Sequence, residues 1–340
     1  MSLPSSAAVA PAAPGGPRAI VEAVGRGGCA IAALVVCLVP SGCLSDLTRP
    51  AGLDGGGVEP DGGGGADGAP ATRCDPAQPF EAPVLLTTTP ATINSSIQEG
   101  WARVSRDDRT LYFVRAVDHD GGRFLEGGLF FITRDDPGSL FDADSLTEES
   151  EFNSGANNEA PYLAPDRSRL FYSNGADHIF FSDRDGTEGL FPYPGATANF
   201  SAADVRDMHP YLVGNDTLYF TSSRGGSPDK LQAYRATRNG EDFDAPEPLG
   251  ITTEAPGQQM APVTSSDNRV VFFSADGTLY RAVGDGEGSF DTAVQADDLN
   301  EGISYPDSLS RDDCVLYFHS DRSGGDFDIW MARATAVIEE

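Results

Sequence analysis

Lysine is almost missing from this chain: among 340 residues only Lys230 is present, and 23 basic side chains face 52 acidic ones, a formal net charge of −29. Such a chain repels a phosphate backbone, which excludes nucleic-acid binding. Histidine is scarce too. His119, His178, His209 and His319 are not spaced for zinc, and no His-Glu-x-x-His or Cys-x-x-Cys occurs. There is no Gly-x-Ser-x-Gly elbow, and no glycine-rich phosphate loop with Lys and Ser/Thr. No metal, no cofactor and no catalytic residue is therefore expected. The acidic pairs Asp183/Asp185 and Asp118/Asp120 suit a hard cation, but neither completes a twelve-residue calcium loop, so chance juxtaposition in an acidic chain accounts for them better.

What is abundant is turn chemistry. The chain has 39 glycines and 24 prolines, which disfavours a helical bundle, while 39% hydrophobic residues provide a large core. The expectation is an all-β protein of many short strands.

No apolar run reaches the roughly 20 residues that a membrane-spanning helix needs. The run from Cys29 to Val39 follows Arg18 and Arg26 and leads to Pro40-Ser41-Gly42-Cys43. A basic region, a short apolar stretch and small residues before a cleavage point make residues 1–42 a secretory signal peptide. The Ser-Gly-Cys ending resembles the bacterial lipoprotein box, which implies diacylglycerol on Cys43; Pro40 departs from the leucine usual there. Residues 43–79 then hold Gly55-Gly56-Gly57 and Gly62-Gly63-Gly64-Gly65 among Asp, Pro and Ala. A Gly-rich coil of this length reaches about 35 Å, enough to hold a domain off a membrane. A cell-envelope location is expected, lipid-anchored and at the outer membrane, on its periplasmic or surface face.

From residue 80 to 340 a unit repeats. Ser105-Arg106-Asp107-Asp108-Arg109-Thr110-Leu111-Tyr112-Phe113 returns around Leu170-Phe171-Tyr172, Leu218-Tyr219-Phe220, Val271-Phe272-Phe273 and Leu316-Tyr317-Phe318, at spacings of 59, 48, 53 and 45 residues. Each unit reads as a hairpin closed by an Asp/Asn turn, a third strand such as Asp328-Ile329-Trp330, and a fourth announced by phrases such as Phe243-Asp244-Ala245-Pro246. Four strands per repeat make a propeller blade. The fourth-strand phrase also precedes the first unit, at Phe80-Glu81-Ala82-Pro83, and the last unit stops three strands in. The amino-terminal strand is thus predicted to close the ring of five blades. Room for a sixth, degenerate blade exists between Phe113 and Asn158 or between Leu190 and Val205.

The phrases Ser-x-Asp-Asp-x-x-Leu-Tyr-Phe and Ser320-Asp321-Arg322-x-Gly-Gly-x-x-Asp328-Ile329-Trp330 are similar to the WD40-like repeat of the TolB type, across residues of about 80 to 335. The resemblance implies a propeller serving protein–protein contact, with no catalytic residues to carry over. The expected protein is a monomeric, non-catalytic envelope lipoprotein that binds an envelope protein. A glycan-binding or glycoside-hydrolase-like propeller is the alternative, since Glu159, Asp207 and Asp307 stand at the starts of inner strands and paired carboxylates are what glycoside hydrolysis requires.

Two further expectations concern placement. If the ring closes through the amino terminus, Cys74 and Cys314 come into or beside one blade, where an oxidising compartment allows a disulfide. The phrases Glu159-Ala160-Pro161, Met208-His209-Pro210 and Ser304-Tyr305-Pro306 enter equivalent inner strands, and Glu159, His209 and Tyr305 are expected as ligand contacts at one mouth of the central channel.

Overall fold

The computed structural model describes residues 73–338 apart from 90–92, 121–122, 126, 154–156, 176, 226–229 and 254–256. The signal peptide, Cys43 and the tether as far as residue 72 lie outside the described residues.

Five antiparallel blades form a propeller. Their innermost strands are Gln98–Val104, Asn158–Leu163, Asp207–Val213, Gln259–Thr264 and Ser304–Leu309. Each second strand lies inside its blade and is covered on both faces by neighbouring blades. That is why it reads as an unbroken apolar run: Leu111, Tyr112, Phe113 and Val114 are all buried. Fourth strands sit at the rim and are short, as at Ala196–Thr197, Glu247–Pro248 and Val294–Gln295, which limits exposed strand edge. The long first interval holds a hairpin, Asp118–Asp120 with Arg123–Leu125, and the eight-residue fourth strand Phe141–Glu148. The stretch from Leu190 to Val205 holds only the two-residue Ala196–Thr197. Five blades therefore account for the described chain.

The amino-terminal strand Val84–Leu85 supplies the outer strand of the fifth blade, pairing Val84 with Met331 and Leu85 with Trp330. A second clasp lies outside it. Arg73–Cys74 pairs with Val337–Ile338, Cys74 N donates to Asp312 O, and Cys74 is disulfide-bonded to Cys314 with Cα atoms 4.8 Å apart. The folded unit thus begins by Arg73, earlier than the boundary at 80 that the strand phrases suggest, because these contacts use residues with no apolar pattern of their own.

The repeated Ser-x-Asp is a turn device. Ser105 Oγ donates to Asp107 and accepts from Thr110 N at 2.9 Å, and Ser265 and Ser310 do the same with Asp267/Val270 and Asp312/Val315. The residue that turns the corner is left-handed: Asp108, Arg167, Asn268 and Asp313 all have φ between 55° and 61°. Each also reaches the preceding blade, Asp108 accepting from Arg311 N, Arg167 pairing with Asp107, Asn268 accepting from the Tyr219 hydroxyl and Asp313 from Ser266. One short motif therefore closes a hairpin and joins two blades.

Candidate functional site: the central channel and its turn face

Every inner strand carries a bulge with one extra residue, which turns side chains towards the axis. In four blades the bulge includes a left-handed residue: Trp101, Ala160, His209 and Ala261, at φ of 50° to 57°. Two large residues alternate with two alanines, so the large pair meets across the axis. Trp101 and His209 stack with ring centres 4.2 Å apart. The fifth blade departs from this pattern. Its extra residue is Asp307, between Pro306 and Ser308, and its Oδ1 lies 2.8 Å from His319 Nδ1. His319 packs edge-on to Trp101 at 4.6 Å and stacks on Tyr305 at 5.1 Å.

Trp101, His209, His319 and Asp307 are all fully buried, and Tyr305 is 6% exposed. The structure brings His209 and Tyr305 together through Trp101, but as a plug inside the channel and not as an open mouth. Glu159 is likewise buried, 1% exposed on its inner strand. A ligand approaching from solvent meets none of these three side chains directly.

The inner-strand carboxylates are engaged within the protein. Asp207 pairs with Arg224, and burial pushes its carboxyl above the ordinary range against the pull of Ser222 and Arg224. Arg224 also donates to Phe200 O and lies over the Phe200 and Phe220 rings. Arg322 of the Ser-Asp-Arg phrase does the equivalent in the fifth blade, donating to Leu299 O beside the Phe318 and Trp330 rings. The repeat arginine is thus a rivet between strand and loop, held by hydrogen bonds and cation–π contact. Glu99, the counterpart in the first blade, accepts from Ser95 and pairs with Arg115 at 3.2 Å; its carboxyl too is raised by burial.

Of the acidic pairs, Asp183 receives two bonds from Arg169, at 2.5 and 2.9 Å. Asp118 and Asp120 lie on the extra hairpin of the first blade. Among the described residues no group of three or more His, Cys, Asp or Glu is arranged to hold a metal ion.

The two faces of the ring differ. On the face where inner strands end, the loops between third and fourth strands sit beside the hairpin turns, as the bonds Arg134 N to Arg109 O, Arg184 N to Ser168 O, Arg238 N to Asp216 O and Gly284 N to Arg269 O establish. These four loops expose Asp135 and Asp136, Asp185 and Glu188, Glu241 and Asp242, and Asp285 and Glu287. Eight carboxylates thus gather on four of the five blades at this face, and three of them, Asp136, Glu188 and Glu241, lie within 4.0 Å of Arg109, Arg167 and Arg169. Short-range order in the sequence conceals this grouping, because the residues come from four loops some fifty positions apart.

No family model matches the chain, and no curated protein matches it. Solved structures of similar fold include a GH43_1 enzyme from Xanthomonas citri, at 16% identity over 74% of this chain and 90% of that one, TM-score 0.50. TolB from Acinetobacter baumannii is 17% identical over 78% of this chain and 64% of that one, TM-score 0.42. Zg3597, a family 117 glycoside hydrolase produced by the marine bacterium Zobellia galactanivorans, is 10% identical over 75% and 90%, TM-score 0.49. Likeness at these identities extends to the propeller fold alone.

Proposed function

We propose that this propeller is a non-catalytic binding module of the cell envelope, anchored through lipidated Cys43, and that its turn face takes a basic surface of a partner protein. The observation that carries the reading is the set of eight exposed carboxylates on four loops of that face, only three of which pair with arginine. An excess of exposed carboxylates over their arginine partners accelerates encounter with an oppositely charged surface and discriminates against acidic ones. The channel supports the non-catalytic part. Hydrolysis of a glycoside needs two carboxyl groups flanking a bound sugar. Here Asp207 and Asp307 are fully buried and already paired with Arg224 and His319, while Glu159 is 1% exposed.

The test is a capture experiment with the full chain as bait over detergent-solubilised envelope of its host, beside a variant in which Asp135, Asp136, Glu188 and Glu241 are changed to Asn or Gln. The reading expects one stoichiometric basic protein, retained by the parent at moderate salt and lost by the variant. Recovery of polysaccharide, or equal retention by parent and variant, would overturn it.

A further inference from the structure

A cavity of about 220 Å3 opens on the turn face at the seam between the fifth and first blades. Leu86, Phe141, Val315, Tyr317 and Met331 form its apolar wall, and Leu140 lines it with 54% of its own surface exposed. The seam is open here for a local reason. At the turn position where the first and fourth blades carry Arg109 and Arg269, the fifth carries Cys314, which is bonded to Cys74 and leaves space that a long side chain would take.

The charged groups of the wall differ in how they are engaged. Arg134 is part of the scaffold, donating to Asp108 O and Ser139 O and lying 4.5 Å over the Phe141 ring. Asp108 accepts from Arg311 N, and Asp312 from the Ser310 hydroxyl and Cys314 N. Arg333 is exposed, lines the cavity, and has no side-chain ion pair or ring contact among the described residues. Other arginines of this protein lie over aromatic rings, Arg169 over Phe181 and Arg184 over Phe191, both at 4.2 Å. A ring entering the cavity would meet Arg333 in the same way, and the thioether of half-buried Met331 is a second contact that favours an aromatic over an aliphatic group. Size agrees. An apolar cavity of about 150 Å3 accepts benzene, so 220 Å3 is room for a phenol or indole ring.

We propose that this seam cavity is the anchoring pocket for one aromatic side chain of a partner protein, carried on a basic segment that lies across the acidic loops. The proposal rests on the reading of the turn face as a binding surface, and it names the residue class that the partner must present. The loop that lines the cavity also exposes Asp135, and Asp312 is exposed at the opposite wall, so basic neighbours of the inserted ring are favoured. A ring seated in a preformed pocket supplies a large share of an interface's energy, while the surrounding charges steer it there.

The first test titrates the full chain, carrying carbon-13 in its methionine methyl groups, with phenethylammonium and with its saturated analogue cyclohexylethylammonium. Met331 is one of four methionines and the one that lines the cavity, so its methyl signal reports entry. A saturable shift of that signal is expected, with the aromatic amine bound about threefold more tightly or better, and Arg333→Gln should remove this preference. The second test repeats the envelope capture with Val315→Phe, which fills the cavity and leaves the acidic loops intact; partner retention should be lost. If Val315→Phe fails to fold, the exposed Arg333→Gln decides, with retention expected to fall about threefold. No shift at Met331, or equal binding of the two amines, would overturn the proposal. Capture lost on neutralising the loops but unaltered by the cavity variant would overturn it alone, whereas capture unaltered by both would overturn the turn-face reading with it.

Discussion

Asp313 joins the fifth blade to Ser266 of the fourth, its Oδ1 accepting from Ser266 N and its Oδ2 from the Ser266 hydroxyl, both at 2.9 Å, while Arg73 donates to the same Oδ2 at 2.8 Å. One carboxylate therefore ties two blades and the amino-terminal clasp. Asp313→Ala leaves three donors without their acceptor in a buried place and should cost about 2–4 kcal/mol. Asp313→Asn keeps an acceptor oxygen and a side chain suited to φ of 58°, so it should cost less than half as much. Chemical denaturation of both variants checks the order; equal losses would mean that the charged carboxylate, and not the left-handed backbone or a single acceptor oxygen, is what matters.

The disulfide between Cys74 and Cys314 closes a loop of 240 residues. In the chain-entropy account its loss costs roughly 5–6 kcal/mol, offset where Val84–Leu85 still closes the ring by pairing with the fifth blade. Cys314→Ser should migrate more slowly than the oxidised parent on a non-reducing gel and unfold at lower denaturant. Under reducing conditions the two proteins should coincide in both measurements.

Asp108 is held at a pKa of about 6 by burial, despite the Arg311 N–H that it accepts. The folded value lies above the unfolded one, so folding is favoured by the protonated form. The contribution is full below about pH 4 and is lost as pH rises through 6. Asp108→Asn keeps the acceptor and the left-handed turn but never ionises. It should match the parent near pH 4 and exceed it by about 1–2 kcal/mol at pH 8, after allowance for partial exposure. A constant difference across the pH range would assign the effect to the turn alone.

The ring of four-stranded blades and its closure at Val84–Leu85 were readable because they rest on local signals: Ser-x-Asp turns, apolar second strands and a displaced fourth-strand phrase. The channel interior was less so. The alternation of Trp101 and His209 with Ala160 and Ala261 is visible once the inner strands are aligned, and the spacing from Pro306 to Asp312 is one residue longer than that from Pro161 to Asp166, which flags Asp307. Neither signal says which way a side chain points, since a bulge decides that. His209 and Tyr305 accordingly looked like a mouth and proved to be a plug. The acidic face depends on loops far apart in the chain, which no local pattern links.

The plug itself makes the last prediction. Trp101 is fully buried between His209 and His319, with Tyr305 at 6.0 Å. Trp101→Ala removes an indole that its stiff neighbours cannot replace, and should cost about 3–5 kcal/mol. Trp101→Phe keeps most of the stack and should cost about 1–2 kcal/mol. If the channel is solid packing, partner capture at the turn face should survive both changes in any sample that remains folded, because the acidic loops do not touch Trp101. Loss of capture by folded Trp101→Phe would instead place the binding surface at the channel, and binding assays beside unfolding curves on the same preparations separate the two outcomes.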